Sequence, residues 1–198
     1  MNVIKSHCAA NTLAEDAPTK VVTVFRDPKE VIKSAQAFLL GSWGVTSDVV
    51  DTDEWVDTLF KQGGLMAELA NHSASYWNRR HLDNYLFVNY RDMKADPLGH
   101  IKRIATLMNV ELTPSELEKV REKSSVAYMK GINHKFGAAS PETHEVGTPT
   151  TLVRSGKSGT AVEELGLHNA RRIDAHMKAM LLEMAPDFPY DEFCNVAY

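Results

Sequence analysis

Two runs along the chain are apolar and β-prone almost without interruption: Val21-Val22-Thr23-Val24-Phe25 and Tyr85-Leu86-Phe87-Val88-Asn89-Tyr90. Each reads as a buried strand. After the first, the pattern switches to helical spacing. Asp27 stands where a helix N-cap belongs, Pro28 at the first helical position, and Glu30 three residues after the cap. Val31, Ile32, Ala35, Phe38 and Leu39 then line one helix face. A buried strand that turns sharply into a capped helix is half of a βαβ unit. In open α/β sheets the ligand lies at the carboxyl ends of such strands. Arg26 closes this strand, and Ser34 lies two helical turns on, at the edge of the apolar stripe.

The rest of the chain alternates in the same way. Residues 2–5 predict a short strand that ends in Lys5-Ser6-His7, and residues 9–20 a polar connection. Gly41-Ser42-Trp43-Gly44 predicts a break. Residues 51–70 carry Trp55, Leu59, Phe60, Leu65, Met66 and Leu69 and predict one helix interrupted at Gly63-Gly64. A further helix is expected over 72–81, with Tyr76 and Trp77 in the core. Asp96-Pro97 repeats the cap-plus-proline start, and Leu98, Ile101, Ile104, Ala105 and Met108 give the helical face. Thr113-Pro114-Ser115-Glu116 is a capping box that opens another helix, to about Lys123. Residues 131–151, rich in Gly, Pro, Ser and Thr, predict a long loop, of a kind that can fold over a site and exclude water. Residues 168–185 predict a C-terminal helix stopped before Pro186. Strands alternating with helices give an α/β class with a mainly parallel sheet.

Composition narrows the function. The 198 residues suit one domain with a sizeable core, and 43% are hydrophobic, so disorder is not the default. Lysine plus arginine total 22 against 26 acids, a net charge of −4, which sets aside a general nucleic-acid or acidic-membrane binder. The two cysteines, Cys8 and Cys194, show neither metal spacing nor a disulfide framework, as in a reducing compartment. No run has the length of a signal peptide's apolar region or of a membrane span. The expectation is a soluble cytoplasmic protein.

Four blocks then carry a resemblance, in order, to the cytosolic and bacterial sulfotransferases that use 3′-phosphoadenosine 5′-phosphosulfate (PAPS). Val3-Ile4-Lys5-Ser6-His7 resembles the strand that delivers the catalytic histidine. Phe25-Arg26-Asp27-Pro28-Lys29-Glu30-Val31, with Ser34, is similar to the block that binds the 3′-phosphate. Tyr90-Arg91-Asp92-Met93-Lys94 with Asp96-Pro97 resembles the tyrosine block near the adenine. Ser124-Ser125-Val126-Ala127-Tyr128-Met129-Lys130 resembles the segment that lines the nucleotide. A looser fifth block, Val153-Arg154-Ser155-Gly156, is similar to the family's arginine-lysine-glycine loop, which also holds the 3′-phosphate.

The resemblance implies a three-layer fold, a mainly parallel sheet flanked by helices of the P-loop nucleotide-hydrolase kind, over a single domain at 1–198. It implies PAPS as co-substrate and a small-molecule acceptor, with no nucleic acid or membrane as partner. It also implies that the family's first strand and phosphosulfate loop, a lysine-serine-glycine-threonine turn, are missing ahead of the histidine block. A shortened sheet would expose a strand edge and invite a homodimer. Two further departures stand out. Ser155 replaces the usual lysine, and Val126 stands where an aromatic often packs on the adenine. Lys157-Ser158-Gly159-Thr160 spells the missing turn, but its place matches the fifth block. The segment 161–165 is short for a phosphate-binding helix, and Thr151 stands where a Walker A motif needs its first glycine.

Sulfuryl transfer, like phosphoryl transfer, is in-line displacement governed by positioning and charge neutralisation. The resemblance assigns His7 as base, with Lys5 beside it on the same strand face. It assigns Arg26, Ser34, Tyr90, Ser124, Arg154, Ser155 and Gly156 to the nucleotide. The residues alone leave alternatives: a frayed strand end for Lys5 and His7, a surface salt bridge for Arg26, a solvated arginine for Arg154, an ordinary helix serine for Ser34, a core tyrosine for Tyr90. A non-catalytic descendant that binds nucleotide or a protein partner is the rival to an enzyme.

Overall fold

The computed structural model describes residues 3–15, 17–42, 50–61, 63–135, 153, 156 and 158–196. The two expected strands are β1 (Val21–Phe25) and β2 (Tyr85–Asn89). They pair in parallel from Val21 opposite Tyr85 to Phe25 opposite Asn89, and make a two-stranded sheet among the described residues. Parallel neighbours need a long crossover. Here it carries α1 (Pro28–Ser42), α2 (Thr52–Leu59) and α3 (Leu65–Asn78). After β2 come α4 (Tyr90–Ala95), α5 (Pro97–Leu107), α6 (Pro114–Lys123) and α7 (Val126–Gly131). The chain closes with α8 (Ala161–Leu165), α9 (Leu167–Met184) and α10 (Tyr190–Phe193). The result is a largely helical α/β fold around a parallel sheet.

Local chemistry sets the helix starts. The Asp51 carboxylate accepts from the N–H groups of Asp53 and Glu54 to open α2. Asp96 does the same for Gly99 at 2.9 Å to open α5, and the capping box of Thr113 and Glu116 opens α6. The break at Gly63-Gly64 is steric. A side chain at Gly64 would place its Cβ 2.7 Å from the Leu59 carbonyl oxygen.

Several boundaries differ from expectation. The helix expected over 72–81 is the second half of α3, because no capping residue or breaker interrupts Leu65–Asn78. Helix α1 runs through Ser42, past the expected break at Gly41. The strand expected over 2–5 is absent from its described part. Residues 3–9 have no regular structure, and Val3 and Ile4 are 84% and 87% exposed, with no neighbouring strand to pair with among the described residues. That segment is tied down further along, where Tyr76 donates to the Cys8 carbonyl at 3.1 Å and the Ala10 N–H donates to Ser75 at 3.0 Å. β1 is buried on one face only: Thr23 and Phe25 point inward, Val22 and Val24 outward. The covering loop expected over 131–151 falls mostly on 136–152, outside the described residues.

The core gathers on α9. Ala170, Ile173, Met177 and Leu181 recur at helical spacing and are buried against Ile32 of α1, Met66 and Ala70 of α3 and Leu165 of α8. Burying each of the larger side chains contributes about 1.5–3 kcal/mol. Beside them Phe25, Phe87, Trp77, Phe188 and Phe193 form one aromatic cluster, with Phe25 and Phe188 edge-on at 5.0 Å. Tyr76 and Trp77 are thus core residues, as expected.

Candidate functional site

The register of the two strands builds the site. Phe25 lies opposite Asn89, so the next residues, Arg26 and Tyr90, leave the sheet side by side at its carboxyl edge. There the Arg26 guanidinium sits over the Tyr90 ring, 4.9 Å from its centre. Both strands turn directly into capped helices. Asp27 accepts from the Lys29 N–H at 3.0 Å to start α1, and Asn89 accepts from the Arg91 N–H at 2.8 Å to start α4. A cavity of about 540 Å³ opens between these turns. Its wall includes Arg26, Lys29, Glu30, Tyr90, Ser158 and Gly159.

Of the residues expected to act together, the structure brings Arg26 and Tyr90 into this cavity. Gly156 does not line it, and its carbonyl accepts from Lys94 at 2.7 Å. Gly156 has φ +66, and a Cβ there would meet the Val126 side chain at 2.7 Å, so glycine is required on both counts. Val126, which stands where the family often has an aromatic, packs next to Gly156. Ser34 is half-buried, one turn beyond Glu30 on α1, and does not line the cavity. Ser124 is exposed, and its hydroxyl donates to the carbonyls of Val120 and Arg121 at 2.9 and 3.1 Å, closing α6. Arg154, Ser155 and Lys157 lie outside the described residues. Lys5 and His7 are exposed in the irregular segment, and no residue of 3–15 lines the cavity. His7 lies instead near His72 of α3, whose pKa is lowered by burial and then by His7.

Glu30 shows where the capping rule gave way. Three residues after the cap, it predicts a reciprocal bond back to the Asp27 N–H. Its carboxylate instead accepts from the N–H groups of Gly159 at 2.7 Å and Ala161 at 3.2 Å, and pairs with Arg26 at 3.1 Å. Within the Lys157-Ser158-Gly159-Thr160 motif, the Gly159 N–H is accordingly committed to the protein itself. The Ser158 hydroxyl accepts from Lys94 at 3.1 Å.

The cavity wall also carries part of a polar cluster that was not among the expected site residues. Lys29, 1% exposed, places its ammonium 2.6 Å from Asp174 and 3.1 Å from Asp27. Tyr190 donates to the same Asp174 oxygen at 2.7 Å, and the buried Cys194 thiol lies alongside. Burial disfavours the Lys29 charge, but Asp27 and Asp174 outweigh it and raise its pKa. Burial, with the neighbouring acids, pushes the Tyr190 hydroxyl and the Cys194 thiol far up, so both stay protonated and neither is a nucleophile. The only earlier signal was Lys29's place one helical residue after Pro28.

This cluster predicts alkaline sensitivity. The unfolded chain loses these protons from the ordinary values upward, 9.0 for Cys194, 10.0 for Tyr190 and 10.5 for Lys29, while the native state keeps them. The native state then holds more protons, so stability falls as pH rises. Urea unfolding should show a falling free energy beyond about pH 9, with a shallower decline above about pH 10 in Tyr190→Phe. A wild-type profile flat to about pH 11 would contradict the proton assignment.

A parallel-stranded fold with a cavity at the strands' carboxyl ends, walled by an arginine and an aromatic ring, is that of an α/β protein whose ligand site lies at that edge. The family follows from comparison. The model of the sulfotransferase domain matches residues 1–185, and the chain belongs to the sulfotransferase family. Rat sulfotransferase 2A6 is 26% identical over 196 residues, covering 96% of this chain and 67% of the relative. Cytosolic sulfotransferase 17 of Arabidopsis thaliana is 28% identical over 185 residues, covering 89% and 50%. Among solved structures, retinol dehydratase in complex with androsterone and the inactive cofactor PAP superposes with a TM-score of 0.70 at 19% identity, over 86% of this chain and 49% of that one. A mouse sulfotransferase complexed with PAP gives 0.68 at 18%, over 88% and 62%. These likenesses show the fold. The chain spans about half to two thirds of the length of the relatives it matches. Among the described residues no helix is long and apolar enough to cross a membrane.

Proposed function

We propose that the cavity at the carboxyl edge of β1 and β2 is the nucleotide end of a sulfuryl-transfer site. The donor is PAPS, and the acceptor is a hydroxyl or amine of a small molecule. One observation carries this reading: Arg26 Nε is buried at the cavity wall and has no hydrogen-bond partner among the described residues. A buried donor left unpaired costs about 1–3 kcal/mol, and a phosphate oxygen would supply the missing acceptor. Guanidinium is suited to phosphate, and the Tyr90 ring beside it offers an aromatic face for a base. Two structural neighbours hold PAP, which supports the same ligand here.

Arg26 and Tyr90 would hold the nucleotide, with Gly156 and its neighbours Arg154 and Ser155 closing on the 3′-phosphate. For Ser34 and Ser124, as for those two neighbours, the support is motif order alone. Transfer forms a bond from the acceptor oxygen or nitrogen to sulfur and breaks the bond from sulfur to the 5′-phosphate oxygen. The acceptor's proton passes to a base, for which motif order supports His7, with Lys5 beside it. The cytosolic relative supports a cytoplasmic setting.

Turnover of labelled PAPS against a panel of phenols and amines tests the activity. The wild-type chain should transfer label. His7→Ala should lose about 10²-fold or more, the usual scale of general base catalysis, while still binding the nucleotide. Undiminished turnover in His7→Ala would remove the base assignment, and a wild type without turnover would remove the activity.

A further inference from the structure

Gly156 and Ser158 on one side, and Gly159 and Ala161 on the other, are fastened by two side chains that motif order assigns to nothing. Lys94 of α4 holds the first pair, through the Gly156 carbonyl at 2.7 Å and the Ser158 hydroxyl at 3.1 Å. Glu30 of α1 holds the second, through the N–H groups of Gly159 at 2.7 Å and Ala161 at 3.2 Å. The other Glu30 oxygen lies 3.1 Å from Arg26. Lys94 and Arg26 both approach the Tyr90 ring, at 5.9 and 4.9 Å. Arg26, Glu30, Gly159, Ser158, Lys94 and Tyr90 are thus joined by contacts at the cavity wall and next to it.

A carboxylate in this place is unexpected on electrostatic grounds alone. It is a negative charge set against the guanidinium that the proposed ligand's phosphate needs. Its Coulomb effect on a bound anion is repulsive. Its geometric effect is the opposite. It fixes Arg26 against Tyr90 and draws two loop N–H groups toward α1, so the site is formed before the ligand arrives. Glu30 is well buried, and the pair with Arg26 is an i,i+4 contact on a helix start, a geometry that holds one rotamer.

We infer that Glu30 is a positioning residue for anion recognition: it orders Arg26 and the N–H groups of Gly159 and Ala161, and Lys94 is the second fastening, on Gly156 and Ser158. The inference rests on the nucleotide reading above and names how that site is held. It has a test whose sign decides. If Glu30 acts only as a charge, removing it tightens an anionic ligand. If it positions the site, removing it weakens the ligand.

Calorimetry with 3′-phosphoadenosine 5′-phosphate on the full chain should show Glu30→Ala binding about tenfold more weakly than wild type, the scale of lost loop and charge-assisted hydrogen bonds. Glu30→Gln, which keeps an acceptor oxygen for the loop, should recover part of the loss. In the free protein, amide hydrogen exchange at Gly159 and Ala161 should quicken in Glu30→Ala and be largely restored in Glu30→Gln. Lys94→Met, at an exposed position, should weaken binding without changing the melting temperature. Equal or tighter binding by Glu30→Ala, with wild type binding well, overturns the inference and leaves the nucleotide reading intact. A wild type that ignores the nucleotide overturns that reading, and the inference falls with it. Should Glu30→Ala not fold, the same two outcomes are read from Glu30→Gln and Lys94→Met, and unchanged binding in both overturns the inference.

Discussion

Lys29→Met should destabilise the fold by about 3–5 kcal/mol, the usual effect of removing one partner from a buried ion pair. Against a typical total of about 5–15 kcal/mol, that is a large share. The size follows from what is left behind. Asp27 and Asp174 both face the lysine ammonium, at 3.1 and 2.6 Å, and their side chains are only 15% and 8% exposed. Without Lys29, both carboxylates lose the ammonium that faces them. Asp27 is also the cap of α1, so the damage reaches the turn that presents Arg26. Adding Asp174→Asn should recover part of the loss, because one uncompensated charge is removed while Tyr190 keeps an acceptor. The deficit should also shrink as pH falls, since protonation neutralises the stranded carboxylates. Urea midpoints for the single and double variants check this. A loss under about 1 kcal/mol for Lys29→Met would show that the cluster contributes little.

The strands, the helix starts and two of the site residues were legible because each depends on short-range chemistry. The uninterrupted apolar runs at 21–25 and 85–89 became β1 and β2, and the Asp-Pro and Thr-Pro-Ser-Glu signals opened α1, α5 and α6. Parallel register then did what no local pattern states, setting Arg26 beside Tyr90 from 64 positions away in the chain. The strand over 2–5 failed for the complementary reason. β-prone residues need a partner edge, and no described strand lies beside Val3 and Ile4. Glu30 misled as a cap because its carboxylate has better donors in a loop about 130 residues later. Nothing local to Lys29 announces Asp174, which α9 delivers to it. Nor does the motif around Ser124 state that its hydroxyl closes α6.

The second large effect concerns Arg26. Its guanidinium is already held from two sides, by Glu30 and by the Tyr90 ring, while Nε is left buried without an acceptor among the described residues. A group fixed in this way loses little freedom on binding, so its contact with a phosphate keeps most of its worth. Truncation removes a charge-assisted hydrogen bond of about 1.5–3 kcal/mol, or about 10- to 100-fold in affinity. The change should fall mainly on dissociation, since the cavity is otherwise intact. Arg26→Lys should recover only part, because an ammonium is a point charge and cannot reproduce the planar fork.

Calorimetric titration of wild type and Arg26→Ala with 3′-phosphoadenosine 5′-phosphate is therefore the most direct test of the site. Saturable binding by wild type, weakened at least about tenfold in a folded Arg26→Ala, is the predicted result. No heat with wild type, or equal affinity in the two proteins, would contradict it.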